Sequence, residues 1–178
     1  MANTRVALRY AKSLLGLAEE RGDLEKVYKD MLLIKETCEV SRDFRLLLKS
    51  PIVDSSTKLK ISKKLFEAKV DVLTMEFMKL VFVKGRESGF FEITKAFEKL
   101  YNEFKGIQPA TIKTAFPLSK SLVQEFEKIV QQATGKKPLL TQEVDPEMIG
   151  GFLLRIDDKQ IDASVGAKLR KLKTELGA

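Results

Sequence analysis

Two stretches of the sequence carry residue types that could act on a ligand. GGFLLRIDDKQID, from Gly150 to Asp162, joins a glycine pair to three aspartates, and TGKK, from Thr134 to Lys137, looks like half of a phosphate loop. A phosphate loop needs backbone amides converging at a helix N-terminus, with several glycines in fixed order. Gly150 and Gly151 lead instead into the strand-like FLLRI, and TGKK follows a helical pattern rather than opening one. The glycine pair therefore reads as a strand entry that permits a bulge or close packing, and TGKK as a helix terminus. Asp157 and Asp158 stand where a tight hairpin favours aspartate, and Asp162, two residues before Ser164, suits a strand-to-helix corner. No third ligand joins them at a recognisable metal spacing, so turn and cap duties account for all three.

The chain has no histidine, which removes the commonest general base and the commonest transition-metal ligand. Its acids lie along helical faces beside lysines, as in FFEITKAFEKLYNEFK from Phe90 to Lys105, and no carboxylate pair stands apart. An enzyme is therefore the weakest of the readings, and no cofactor is expected. Cys38 has no disulfide partner, and its place in a helical pattern with Ile34 and Thr37 makes it a buried structural thiol. Arg9, Lys12, Glu19 and Glu20 interrupt the opening segment, so it lacks the continuous apolar stretch of a signal peptide. No segment approaches the ~20 unbroken apolar residues of a membrane span, and a reducing compartment is expected.

The 32 Lys+Arg outnumber the 25 Asp+Glu, giving a formal charge of +7 that admits an acidic protein, nucleic acid or an anionic membrane face as partner. Lys168, Arg170, Lys171 and Lys173 near the end resemble a nucleic-acid handle. Basic residues in a last helical turn, however, complement the helix dipole without any ligand. Phe152 is the only aromatic after Phe126, which leaves little to stack on bases. A small basic RNA-binding or ribosome-associated factor is the rival reading, and it predicts binding that falls steeply with salt.

With 178 residues, 44% of them apolar, the chain has material for one large domain or two small ones. Residues 3 to 105 read as six successive helices. Val6, Tyr10, Leu14 and Leu17 form one stripe of the first, with Ala7, Ala11, Leu15 and Ala18 beside it. Gly22 ends that helix, and Asp23, Ser41 and Asp54 cap the next three. Lys58, Lys60, Lys63 and Lys64 read as a solvated face of the fourth helix. The fifth, about Val72 to Lys84, is apolar nearly all round and should be central. The pattern changes at Gly106 and Pro109, where ATIKTAF alternates with Ala110, Ile112, Thr114 and Phe116 on one side. Ser119 then caps a helix that stops at Gly135; PLLTQEV, GFLLRI and QID read as strands, with DDKQ as hairpin; and Ser164 caps a last helix striped by Val165, Leu169, Leu172 and Leu176. The expected architecture is α + α/β: a six-helix bundle over residues 1–105, followed by a small β-α-β-β-β-α sandwich over 106–178.

Three ordered segments resemble the delta subunit family of bacterial F-type ATP synthases, relatives of the mitochondrial oligomycin-sensitivity-conferring protein. RVALRYAKSLLGLAEE, from Arg5, is similar to the family's opening R-x-Y-A-x-x-L-x-x-L-A pattern, with Arg9 where a proline commonly precedes the tyrosine. EFMKLVFVKGRESGFFEITKAFEKLYNE, from Glu76, resembles the family's apolar helix ending in Asn-Gly-Arg, with Lys84 in place of the asparagine. VDPEMIGGFLLRIDDKQIDASVGAKLRKL, from Val144, matches the closing pattern of V-D-P, paired glycines, a hairpin acid and D-x-S, with Asp157-Asp158 for the usual Gly-Asp.

The resemblance implies a non-catalytic connector, one copy per complex. Its helical domain would hold the amphipathic N-terminal helix of an alpha subunit between its first and fifth helices. Its second domain would meet the C-terminal end of the b-subunit stalk, with membrane association only through the complex, on the cytoplasmic face of the bacterial plasma membrane, and with no nucleic acid bound. Carried onto this chain, the groove residues are Tyr10, Ser13 and Leu14 with Leu80, Val81 and Lys84. The first and fifth helices are also the two whose apolar arcs exceed what one core needs. For the stalk contact, charge alone nominates Lys168, Arg170 and Lys171.

Overall fold

A computed structural model describes residues 2–175 and 177 of the chain. The chain divides into two compact units, residues 1–101 and 102–178, so the division falls a few residues before Gly106. The first unit is built from helices α1 (Ala2–Arg21), α2 (Leu24–Val40), α3 (Arg42–Lys49), α4 (Ser55–Phe66) and α5 (Val72–Val83). A 3-10 turn at Glu87–Gly89 then leads into α6 (Phe90–Phe104), within which the division lies.

Short polar side chains start several of these helices as their sequence demands. Ser41 accepts a hydrogen bond from the Phe44 amide, Asp54 from that of Ser56, and Asp71 from that of Leu73. Asp23 precedes α2 without capping it: its backbone is not extended, and its carboxylate takes the Lys26 ammonium instead. The core gathers Ala7, Ala11 and Ala18 of α1, Val27, Met31, Ile34 and Cys38 of α2, Met78 and Phe82 of α5, and Phe90, Ile93 and Phe97 of α6.

Lys58 departs from the solvated face expected of it. It is 2% exposed, and its ammonium donates to the Leu48 carbonyl at 3.2 Å and to Glu87 Oε1 at 2.9 Å. Ser55 donates to the same oxygen at 3.0 Å. The helical period explains the error: Lys58 lies one turn before Ser62 and two before Phe66, both buried, whereas Lys60, Lys63 and Lys64 point outward. A buried cation needs a buried anion, and Glu87 of the 3-10 turn supplies it, tying α4 to the approach of α6.

The second unit contains β1 (Ile107–Thr114), α7 (Lys120–Thr134), β2 (Lys137–Val144), β3 (Phe152–Ile156), β4 (Lys159–Asp162) and α8 (Val165–Glu175). This is the expected β-α-β-β-β-α order. The sheet runs β2-β1-β3-β4, with β1 and β2 parallel and the other pairs antiparallel. Ala110 pairs with Ile156 and Ile112 with Leu154, which sets Ala110, Ile112 and Leu154 on one face around Val130 of α7. One expectation fails here. Phe116 lies beyond the end of β1 and is 75% exposed, because Pro117 follows it and the ladder stops at Thr114. Val165, Leu169 and Leu172 do not seal against the sheet: α8 buries none of its side chains, and Leu176 lies outside the described residues.

The Lys58–Glu87 pair yields a stability prediction. Burial pushes the Glu87 carboxyl up, but hydrogen bonds from Lys58, its own amide and Ser55, with the Lys58 charge, bring it below the ordinary range. A depressed folded pKa adds stability above that range, and the contribution fades as pH falls through the folded value. Lys58→Met is expected to cost about 3–5 kcal/mol in urea unfolding. Lys58→Met with Glu87→Leu should recover most of that cost and flatten this part of the acid dependence.

Candidate functional site

On α1 the alanine stripe turns inward, leaving Leu17 exposed and Tyr10 half-buried at its edge. On α5, Leu73, Phe77, Val81 and Phe82 fill the interior, but twelve residues apolar nearly all round cannot all face it. Leu80 is 49% exposed, and Val72 and Val83 more so. Between the two helices lies a furrow of about 350 Å³. Its α1 wall is Arg9, Tyr10, Ser13, Leu14 and Leu17, and its α5 wall is Phe77, Leu80 and Lys84. The Tyr10 ring meets the Phe77 ring edge-on, with centroids 6.4 Å apart. Ser13 donates its hydroxyl to the Arg9 carbonyl at 3.0 Å, so its polar atom is satisfied within α1. The floor is therefore apolar, and the charged groups among the lining residues are the two cations, Arg9 and Lys84.

What holds the walls in place is α2, which packs against both α1 and α5. Asp30 of α2 is buried, and one of its oxygens accepts from the Asp71 amide and from the Thr74 hydroxyl, each at 2.7 Å. Asp71 and Thr74 bracket the first turn of α5, whose orphan amides favour a carboxylate. Asp30 thus clamps that turn from outside while Asp71 caps it from within.

The furrow brings together Tyr10, Ser13, Leu14, Leu80 and Lys84. Val81 is absent from its lining: it is 0% exposed, one residue round the helix from Leu80 and turned into the bundle's own core. Arg9, Leu17 and Phe77 line the furrow without having been expected there. Leu17 and Phe77 are each three residues from an expected member, so helical spacing alone would have found them. On α8, Arg170 lies 3.8 Å from Asp162 and Lys171 lies 3.8 Å from Glu175, while Lys168 is exposed.

The other candidate residues serve the backbone. A Cβ on Gly151, at φ +82°, would meet the Ala163 carbonyl oxygen at 2.4 Å, so the strand entry requires glycine. Gly135 ends α7 in the left-handed conformation. Asp157 turns the β3–β4 hairpin at φ +50° and its carboxylate accepts from the Gln108 side-chain Nε2 at 3.0 Å. Asp162 accepts from the Ser164 amide, and Ser164 from that of Ala167. Cys38 is buried, and burial pushes its thiol up to about 11. Among the described residues no cluster of His, Cys, Asp or Glu is placed to hold a metal ion, and no helix is long and apolar enough to cross a membrane.

Residues 6–176 match the family model of the ATP synthase delta (OSCP) subunit. The ATP synthase subunit delta of Cytophaga hutchinsonii is 39% identical over 175 residues, covering 98% of this chain and 96% of that protein. That of Amoebophilus asiaticus is 36% identical over 175 residues, covering 98% and 95%. A chain in the cryo-EM structure of the Toxoplasma gondii mitochondrial ATP synthase hexamer shares the fold, with a TM-score of 0.73 over 97% of each chain at 24% identity.

Asp30→Ala removes both clamping hydrogen bonds and leaves the buried Thr74 hydroxyl and the part-buried Asp71 amide without their acceptor. A loss of about 2–3 kcal/mol is expected, with hydrogen exchange rising first in the amides of the α5 N-terminal turn. Unchanged protection at Leu73 to Phe77 would show that Asp30 does not hold α5.

Proposed function

Because the chain belongs to the ATP synthase delta (OSCP) subunit family, we propose that it is a non-catalytic stator subunit tying the catalytic head of an F-type ATP synthase to its peripheral stalk. In this reading the first unit takes the N-terminal helix of an alpha subunit, and the second takes the C-terminal end of the b subunit. One copy works in each complex, at the cytoplasmic face of the bacterial plasma membrane, peripherally and through its partners. The tie prevents the head from turning with the rotor, so that proton-driven rotation is coupled to ATP synthesis. The RNA-binding alternative has no support from the family match.

The observation that carries the reading is the apolar furrow between α1 and α5. Its apolar lining and its open leucine suit an amphipathic helix laid lengthwise, the mode in which an apolar stripe at helical spacing fills a groove. Each apolar side chain buried this way is worth ~1.5–3 kcal/mol. Several anchors along Tyr10, Leu17, Phe77 and Leu80 are therefore needed for a contact that bears torque. On α8, the exposed Leu169 and Leu172 beside Lys168 and Lys171 offer an apolar stripe edged with positive charge, which supports a contact with an acidic stalk end.

Two measurements check the two halves. Titrating a peptide from the N-terminus of the alpha subunit into the full chain should give 1:1 binding, weakened about 10- to 100-fold by Leu80→Asp and about tenfold by Tyr10→Ala. Full affinity in both variants would remove the furrow from the contact. Lys168→Glu with Lys171→Glu should weaken capture of a peptide spanning the C-terminal end of the stalk's b chain, and flatten its salt dependence. An unchanged salt slope would dispose of the α8 assignment.

A further inference from the structure

The furrow is not electrically uniform along its length. Val6 and Ala7, near the start of α1, line a second small cleft with Arg86 and Ser88, which follow α5. The beginning of α1 thus lies beside the end of α5, and the two walls run antiparallel. Charges then sort by end. Arg5, Arg9 and Lys12 sit on the first half of α1, and Lys84 and Arg86 at the end of α5, all exposed. The acids Glu19 and Glu20 lie at the far end of α1, where Arg21 offsets one of them, and Asp71 and Glu76 lie at the start and within the first half of α5, so that end is acidic on balance. None of those cations forms an ion pair with another described residue, whereas Lys26, Lys35 and Lys58 in the same unit each do.

An uncompensated cationic end on an apolar groove rewards carboxylates placed there and penalises cations, so attraction and repulsion select the same orientation. We infer that the furrow reads the direction of the helix it takes. Its occupant gathers its carboxylates at one end, and that end lies against Arg9 and Lys84. This rests on the assignment of the furrow to a docked helix. Lys84 also ends α5, where its charge complements the helix dipole, so the test separates that local effect from binding.

Three synthetic amphipathic peptides with one shared apolar stripe test the inference on the full chain: one with glutamates in its first two turns, one with them in its last two, and one with glutamines throughout. The better acidic peptide should bind about five- to tenfold more tightly than the glutamine peptide at low salt, and the gap should close near ~0.5 M salt. A nitroxide at its acidic end should broaden the amide signals of Arg9 and Lys84 more strongly than those of Leu17 and Val72, which lie about 12 Å or more further along the helices. Arg9→Glu with Lys84→Glu should abolish that preference, while Lys84→Gln leaves the melting temperature close to wild type. Equal affinity for all three peptides, or broadening around Leu17 instead, would overturn the directional reading and leave helix docking standing. Failure of every peptide to perturb the furrow would overturn both.

Discussion

The structure depends on a mismatch between α5 and the bundle that contains it. A helix turns one residue in every 100°, so a segment apolar at nearly every position can give only part of its circumference to a single core. Phe77, Met78, Val81 and Phe82 use the inner arc, and Leu80 and Val83 are left outside. Among the described residues of the first unit nothing covers them fully, because the neighbouring α1 meets α5 with small or half-buried groups. The surplus is a cost to the isolated chain, and in the proposed role it is the area that a partner would remove from water.

Such a surface is useful only if its walls keep their spacing, and here polar groups in the interior maintain it. Asp30 ties the first turn of α5 to α2, and Lys58 with Glu87 ties α4 to the turn that follows α5. Both arrangements bury charge, which apolar packing would avoid at lower desolvation cost. What they add is direction. A carboxylate accepting two hydrogen bonds from one helical turn fixes the turn's register and rotation, whereas methyl groups tolerate sliding. Of the elements so fixed, α5 is one wall of the furrow.

Periodicity made the α + α/β order legible, and capping chemistry marked where α3, α4, α7 and α8 begin. What escaped the sequence were decisions taken by tertiary partners. Lys58 looked solvated because lysine usually is, and Glu87, its partner, lies 29 residues away with no local sign of the pairing. Asp23 met the expectation for a cap, but its backbone and the nearby Lys26 assigned it otherwise. Val81 and Leu80 are adjacent and equally apolar, and only the orientation of α5 against α2 and α4 decides which faces inward. Phe116 continued an alternating pattern past the point where the ladder ends. The furrow itself was legible as surplus apolarity, although its rim residue Arg9 was not, because a cation beside an apolar stripe is also what an ordinary exposed face contains.

The basic excess of the chain follows the same logic in both units. At the furrow, Arg9 and Lys84 border Tyr10 and Leu80, and on α8, Lys168, Arg170, Lys171 and Lys173 border Leu169 and Leu172. A nucleic-acid surface would intersperse its cations with aromatic platforms, since bases are held by stacking as well as by charge. Open leucines flanked by Lys and Arg suit a different partner, an amphipathic helix with acidic flanks, because the apolar stripe supplies the affinity and the charges supply orientation and approach rate. The two units share no fold, yet each leaves a leucine stripe edged in positive charge. In the proposed role of a connector, each of the two surfaces would have to be specific enough in charge and apolar enough in area to keep its partner when the other is pulled.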